Sequence, residues 1–422
     1  MGFPGARCEV GCDVDGSIGE RIRQLRYQRT PRMTQRDLAE RAGVSVDLIS
    51  KLEQGAKQTA LVRTLRKIAA ALDVDVGTLL AEPQGLVVAD DDGGVLAVRE
   101  AITALWETAD SGDLEDLRQS GRYAWACYWT AKFDVLGGLL PGFITTARAT
   151  ARATLSPGAH GALSDAYGVA ASMLVHLGHI DLAYLGMERA IAAAERSQDE
   201  LRHAAMSGWM SWLLLHQTGS QDGVQDPTSR RAPLTQARQL AVREADQVEP
   251  KLGKARPEHI SVWGSLLISA AVAAARDGQA GEADNILNLA EAAATRLDGT
   301  PPGARLAYQS SFGMPLVVMQ TVDVSVVTDR PARALQVAER MPTDSGLPLA
   351  SRARHLADVA YARTRLGRDR DAVNTLLEIE RAAPEWMRYQ PYPRAIVREL
   401  LERERRARTP QLRGLAARLN VA

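Results

Sequence analysis

Two sets of side chains have types and spacings suited to chemistry. Between residues 34 and 57 lie Thr34, Gln35, Arg36, Ser45, Asp47, Ser50, Lys51 and Lys57, a mixture of hydroxyls, amide and cations that suits phosphate oxygens and base edges. Between residues 176 and 365, His176, Trp209, His216, Arg276, Asp323, Arg354, Tyr361 and Arg365 are scattered through alanine-rich segments. Brought to one surface, such cations grip a carboxylate and such aromatics pack an apolar group. Metal and catalytic chemistry find less support. Cys8 and Cys12 form a C-x3-C pair, but no second Cys pair or nearby His completes a tetrahedral site. The 7 histidines do not cluster with acids at ligand spacing. The chain lacks G-x-x-x-x-G-K-[ST], H-E-x-x-H, G-x-S-x-G, and G-x-G-x-x-G after a strand. No catalytic residue, metal or cofactor is expected, and an enzyme is disfavoured.

These residues must be positioned by a chain of 422 residues, 45% hydrophobic and 24% charged, a length and composition suited to two or more folded domains. Lys+Arg 51 cancels Asp+Glu 51, so any attraction to nucleic acid or membrane has to come from a local patch. Three cysteines cannot form a disulfide framework for this length, which fits a reducing cytoplasm. No basic start with an apolar run opens the chain, and no run approaches the roughly 18 to 20 apolar residues of a membrane span. Position 6 is Ala6, so Met1-Gly2 does not read as a myristoylation signal. The abundance of Arg and Ala matches proteins of GC-rich bacterial genomes.

Residues 1–17 read as a mobile arm, 18–82 as a block of short helices, and 83–94, with Pro83, Gly85 and three aspartates, as a linker. From 95 to 422 alternating β-branched runs are nearly absent while Ala, Leu, Arg and Glu recur at helical spacing, so the chain is expected to be all-α.

In the first block Ile22 and Leu25 give a helix its buried side. Thr34 caps a second helix to Ala42 with Leu38 and Ala39 inward, and Gly43 makes the turn. Ser45 caps a third helix that ends before Gly55. Leu65, Ile68, Ala69 and Leu72 mark a fourth, and Val76 to Leu80 a short fifth. Residues Ile18 to Leu80 carry 12 basic against 7 acidic side chains, a basic head within a neutral chain. The set Thr34-Gln35, Leu38-Ala39, Ala42-Gly43-Val44-Ser45, Ile49-Ser50, Leu52-Glu53 with Gly55, and Leu65-x2-Ile68-Ala69-x2-Leu72 resembles the Cro/repressor-type, or Xre-like, helix-turn-helix family. That resemblance implies a recognition helix at Ser45–Gln54 in the major groove of double-stranded DNA. Ser45, Val46, Asp47, Ser50 and Lys51 would face the bases, Gln35 would hydrogen-bond a phosphate, and Arg36 and Lys57 would lie nearby. An acid at Asp47 departs from many relatives. It either caps the helix start or accepts from a cytosine amino group.

The second region repeats one skeleton. Leu174-x3-Gly178-x4-Ala183-x3-Met187-x2-Ala190 is echoed by Ala274-x3-Gly278-x4-Ala283-x3-Leu287-x2-Ala290, and Gly367, Ala372, Leu376 and Pro384 form a third copy. Gly ends one helix in a left-handed conformation and Ala five residues on admits a close second helix. Weaker copies turn near Gly219 and Asp329, the first with a turn-rich insertion over 219–233. The pattern resembles the tetratricopeptide repeat, which implies an α-solenoid over much of residues 160–385. An irregular helical bundle is the alternative. A repressor-type head before such a solenoid resembles actinobacterial and other Gram-positive regulators that read a signal in the concave groove. On that resemblance the chain is a homodimeric transcription regulator of a palindromic operator. Its groove, carrying His176, Trp209, His216, Arg276, Asp323, Arg354, Tyr361 and Arg365, would bind a signalling peptide or small molecule. The rival reading makes the solenoid an adaptor for a protein partner. Trp209, Trp212 and Trp263 read first as core residues, and Arg354 and Arg365 also suit a solvated face.

Overall fold

The computed structural model describes residues 18–29, 33–57, 60–74, 76, 79, 94–106, 109–217, 227–251, 254–300, 307–309, 311–403 and 410–421. The expected arm with Cys8 and Cys12, the linker up to residue 93 and most of the expected fifth helix lie outside them. The chain divides into two compact units, Met1–Asp92 and Gly93–Ala422. Among the described residues both are helical, with no strand.

The first unit contains α1 (Ile18–Gln28), α2 (Gln35–Ala42), α3 (Val46–Glu53) and α4 (Val62–Ala71). Apolar residues at helical spacing point to one centre: Ile22, Leu38, Ile49, Leu65 and Ile68 are fully buried, each such burial stabilising by about 1.5 to 3 kcal/mol. Leu25, expected on that side, is only half-buried, and Ile18 takes the place. A Cβ at Gly19 would lie 1.7 Å from the Leu52 carbonyl oxygen. Only a residue without a side chain lets α1 lie this close to the end of α3.

The second unit starts with α5 (Val95–Thr103) and continues as helical hairpins: α6 (Leu114–Trp129) with α7 (Phe133–Thr154), α8 (Pro157–His176) with α9 (Ile180–Arg196), and α10 (Glu200–Gln217) with α11 (Pro227–Gln247). Next come α12 (Pro257–Arg276) with α13 (Ala280–Thr295), α14 (Met314–Val327) with α15 (Pro331–Ala338), and α16 (Leu349–Arg365) with α17 (Asp369–Ala382). Three further helices, α18 (Pro384–Tyr389), α19 (Pro391–Arg403) and α20 (Pro410–Arg418), close the described chain. Each first helix packs on its own partner and on the first helix of the next hairpin: α6 on α8, α8 on α10, α10 on α12, α12 on α14, α14 on α16 and α16 on α19.

The turn glycines Gly178, Gly278 and Gly367 are left-handed at φ 84, 79 and 70°, and Ala183, Ala283 and Ala372 are fully buried. The hairpin α6–α7 escaped the repeat skeleton because Ala131 (φ 57°) rather than glycine takes its left-handed turn. A second correction concerns residues 227–233, expected as part of an insertion. They are helical, with Pro233 inside α11, because packing of α11 against α10 and α12 outweighs the cost of an interior proline. A third concerns α12, which by length and composition is apolar enough to cross a membrane. It is clothed by α10, α11, α13 and α14, and 78% of its apolar window is buried.

The stack also returns on itself. Helix α6 packs against α16, the Phe133 N–H donates to Glu385 Oε2 at 3.2 Å, and His176 meets Gln390 at 2.9 Å.

Candidate nucleic-acid interface and ligand cavity

In the first unit, caps set the position of α3. The Thr34 hydroxyl accepts from the Asp37 N–H at 3.1 Å and the Asp37 carboxylate accepts from the Thr34 N–H at 2.9 Å. This reciprocal cap satisfies two donors at the start of α2, and the Thr34 hydroxyl, donating to Asp37 Oδ2 at 2.7 Å, together with the Thr34 N–H holds Asp37 below the usual carboxylate range. Gly43, left-handed at φ 61°, ends α2, and Ser45 Oγ accepts from the Leu48 N–H at 3.2 Å to start α3. From that start, Ile49 and Leu52 turn inward while Val46, Asp47, Lys51 and Gln54 are exposed and Ser50 is half-buried.

Asp47 neither caps nor stands alone: its carboxylate pairs with Lys51 at 2.8 Å, and Ser45 supplies the cap. Gln54, which the residue pattern did not single out, donates to Ser50 Oγ at 3.0 Å and shares the stripe of Val46 and Ser50 by i, i+4 spacing. Arg36 and Lys57 are exposed. The Lys57 N–H donates to the Lys51 carbonyl at 2.9 Å, which fixes the loop after α3.

Beneath this face lies a buried ion pair. Arg26 donates to both carboxylate oxygens of Glu53, each at 2.8 Å, and to the Met33 carbonyl. The hydrogen bond to Glu53 raises the Arg26 pKa. Gln35 Nε2 donates to Glu53 Oε2 at 2.7 Å, so the side chain expected on a phosphate is already engaged. A buried carboxylate requires such donors, and Glu53 thereby ties α1, α2 and α3 together.

In the second unit a cavity of about 200 Å³ is lined by Tyr128 and Trp129 of α6, His176 of α8, Trp209, Trp212 and His216 of α10, Arg354 of α16, and Trp386 and Gln390 of the α18 region. Four of the expected groove residues, His176, Trp209, His216 and Arg354, meet there. The Trp209 ring lies 5.4 Å from Trp125, 5.7 Å from Trp129 and 5.5 Å from Trp212, the last edge to face. These separations suit favourable aromatic contacts. Trp263 is core, as expected, whereas Trp209 and Trp212 are half-buried walls of the cavity.

Gln390 Nε2 donates to His176 Nδ1 at 2.9 Å, so His176 Nε2 carries the proton and donates to the Tyr128 hydroxyl at 3.1 Å. Burial pushes His176 down to about 3 and His216 down to about 4, so both rings are neutral near pH 7. His216 Nδ1–H donates to the Trp212 carbonyl at 2.9 Å, which leaves Nε2 as an acceptor.

The other expected groove residues take different places. Arg276 grips Asp323 through two bonds of 2.9 and 3.1 Å, and Arg354 donates to Asp323 at 2.8 Å and to Asp358 at 3.2 Å. Arg276 and Asp323 do not line the cavity; with Arg354 they join α12, α14 and α16. The two guanidiniums hold the Asp323 carboxyl below its ordinary value, while burial pushes Asp358 up to about 6. Tyr361 packs on Tyr392 at 6.1 Å, and Arg365 pairs with the exposed Asp329 at 3.3 Å. Opposite charges brought close by the fold pair with each other, so Arg354 is not the solvated side chain that one reading allowed. Tyr128, Trp129, Trp386 and Gln390 were not anticipated. The signal for the first two was the aromatic run Trp125-Ala126-Cys127-Tyr128-Trp129.

Residues 25–79 match the helix-turn-helix family model. The HTH-type transcriptional regulators SinR of Bacillus subtilis (strain 168) and of Bacillus licheniformis are each 38% identical to this chain over 65 residues, 15% of this chain and 57% of theirs. The chain thus spans little more than half the length of these curated relatives. Among solved structures, the apo form of the competence regulator ComR from Streptococcus vestibularis aligns over 81% of this chain and 98% of its own at 14% identity and a TM-score of 0.25. ComR from S. thermophilus aligns over 82% and 100% at 12% identity and the same TM-score. With the sequence match falling on helices whose caps, turn and exposed stripe have this geometry, the N-terminal unit carries a helix-turn-helix domain of the Xre type.

Proposed function

We propose that the protein is a sequence-specific DNA-binding transcription regulator whose helical unit senses a signal and modulates that binding. The observation that carries the reading is the capped α3, which turns Val46, Asp47, Ser50 and Lys51 outward from a basic domain while Ile49 and Leu52 anchor it. Major-groove recognition by such a helix uses its exposed N-terminal side chains. Ser45, Val46, Asp47, Ser50 and Lys51 are assigned to the bases, and Arg36 and Lys57 to phosphates. Gln35 joins the phosphate contacts through the second N–H of its amide. A homodimer on a palindromic operator follows from symmetry, and the ligand acts by changing the spacing of two heads. The lining of the cavity, with four tryptophans around about 200 Å³, supports a small signal over a protein partner.

The test is selection of duplexes from a randomised library by the full chain. Enrichment of a palindrome is expected. Gln35→Ala should weaken binding to every sequence alike, while Ser50→Ala or Lys51→Ala should also shift base preference by about 1 to 3 kcal/mol at one position. No enrichment, or unchanged preference in both α3 variants, rejects the assignment.

A further inference from the structure

We infer that the cavity of the helical unit takes a neutral, flat aromatic molecule of one or two fused rings. The effect of such a ligand on DNA rests on the sensor reading above, but its chemistry is argued from the walls alone. An apolar cavity of about 150 Å³ holds benzene, so about 200 Å³ suits an indole-sized ring system. Four tryptophans line it: Trp129 from α6, Trp209 and Trp212 from α10, and Trp386 from α18. Flat aromatic ligands stack against faces and meet edges in just this kind of setting.

Apart from one paired guanidinium, the polar groups on the lining are hydroxyls, amides and neutral imidazoles, which fit a neutral ligand. His216 offers the Nε2 acceptor, and Gln309, Gln320 and Ser351 line the cavity with amides and a hydroxyl that can meet one carbonyl or hydroxyl group of a ligand. Charge is excluded from both sides. No Asp or Glu is among the described residues that line the cavity, so nothing balances an ammonium. The guanidinium that lines it, Arg354, is held by Asp323 at 2.8 Å and Asp358 at 3.2 Å, so an incoming carboxylate would have to compete with two carboxylates already in place. Bringing an unbalanced charge into such a space is costly.

Three probes that share one ring and differ in charge decide the matter: indole, tryptamine and indole-3-acetate, each titrated by calorimetry into the full chain. Indole should bind about tenfold or more tightly than either charged analogue. Ala205→Phe, which fills the cavity without removing an aromatic wall, should abolish indole binding and leave duplex binding by the same protein intact. Should that variant not fold, as judged by circular dichroism, Ser269→Leu serves the same purpose. A charged analogue binding as tightly as indole, no binding of indole up to millimolar concentration, or undiminished binding in a folded filled variant overturns the assignment. Indole binding with no change in duplex affinity would keep the ligand assignment and end the sensor reading. A charged analogue that binds and does change duplex affinity would do the reverse.

Discussion

In the first unit the exposed face of α3 keeps Asp47 and Lys51 in solvent and the neighbouring cations Arg36 and Lys57 are exposed; in the second unit the strongest arginines, Arg276 and Arg354, are drawn inward onto Asp323 and Asp358. Both units contain a buried arginine–carboxylate bridge, and the helical block of the first adds a formal surplus of 12 basic against 7 acidic residues over Ile18 to Leu80. Charge that braces a fold is desolvated and paired, whereas charge that meets a partner stays hydrated until the partner arrives.

The sharpest way to break that comparison is to remove the carboxylate at the centre of the inward network. Asp323→Ala leaves Arg276 and Arg354 without their shared partner and should destabilise the helical unit by about 4 kcal/mol. Urea denaturation followed by tryptophan fluorescence would show it, while duplex affinity measured in the folded range stays unchanged. A loss below about 1 kcal/mol would mean that the network is ornamental.

Acidification should have the next largest effect. His176, His216 and His355 are pushed by burial to about 3, 4 and 4, below their ordinary value in the unfolded chain. The unfolded state therefore binds more protons below about pH 6.5, and stability is lost as the pH falls from there toward the folded values. Asp358, pushed up to about 6, works the opposite way below pH 6, and the three imidazoles outweigh it. Thermal melts at pH 7 and pH 5 should differ by on the order of 3 kcal/mol in stability; a melt that is flat or rises on acidification contradicts the buried neutral imidazoles.

The smallest effect on folding should accompany a clear effect on binding. Arg36→Ala and Lys57→Ala should each change stability by less than about 0.5 kcal/mol. Each should also lower the salt dependence of duplex binding by about one unit of slope. Fluorescence anisotropy across a salt series measures this, and an unaltered slope in both would take these residues off the phosphates.

What the sequence revealed follows the range of the interactions. The head was legible because its signals are local: Thr34, Gly43 and Ser45 act on backbone groups within a few residues, and Leu38, Ile49 and Leu52 repeat at helical spacing. The hairpin turns at Gly178, Gly278 and Gly367 were legible for the same reason. The cavity was not, because its walls come from positions between Tyr128 and Gln390, and a tryptophan in an alanine-rich helix looks alike whether it faces a core or a void. Arg276, Asp323 and Arg354 were expected on one groove surface as a grip for a ligand, yet spacing along a chain does not tell whether such groups will grip each other, as these do. Gln35 illustrates the same limit, since its partner Glu53 is a neighbour only after α2 and α3 have packed.

The return of the stack to its own beginning, where Phe133 meets Glu385 and His176 meets Gln390, changes how the unit should come apart. A linear array of hairpins frays from its ends, with each repeat contributing its own share and a nearest-neighbour coupling. Here the first hairpin is also a neighbour of the last ones, so neither end is a free end from which to unravel. The hairpins are thereby bound into one cooperative melting unit, and a molecule seated among α6, α10 and α18 would act as a clasp felt at both extremities of more than 250 residues of chain at once.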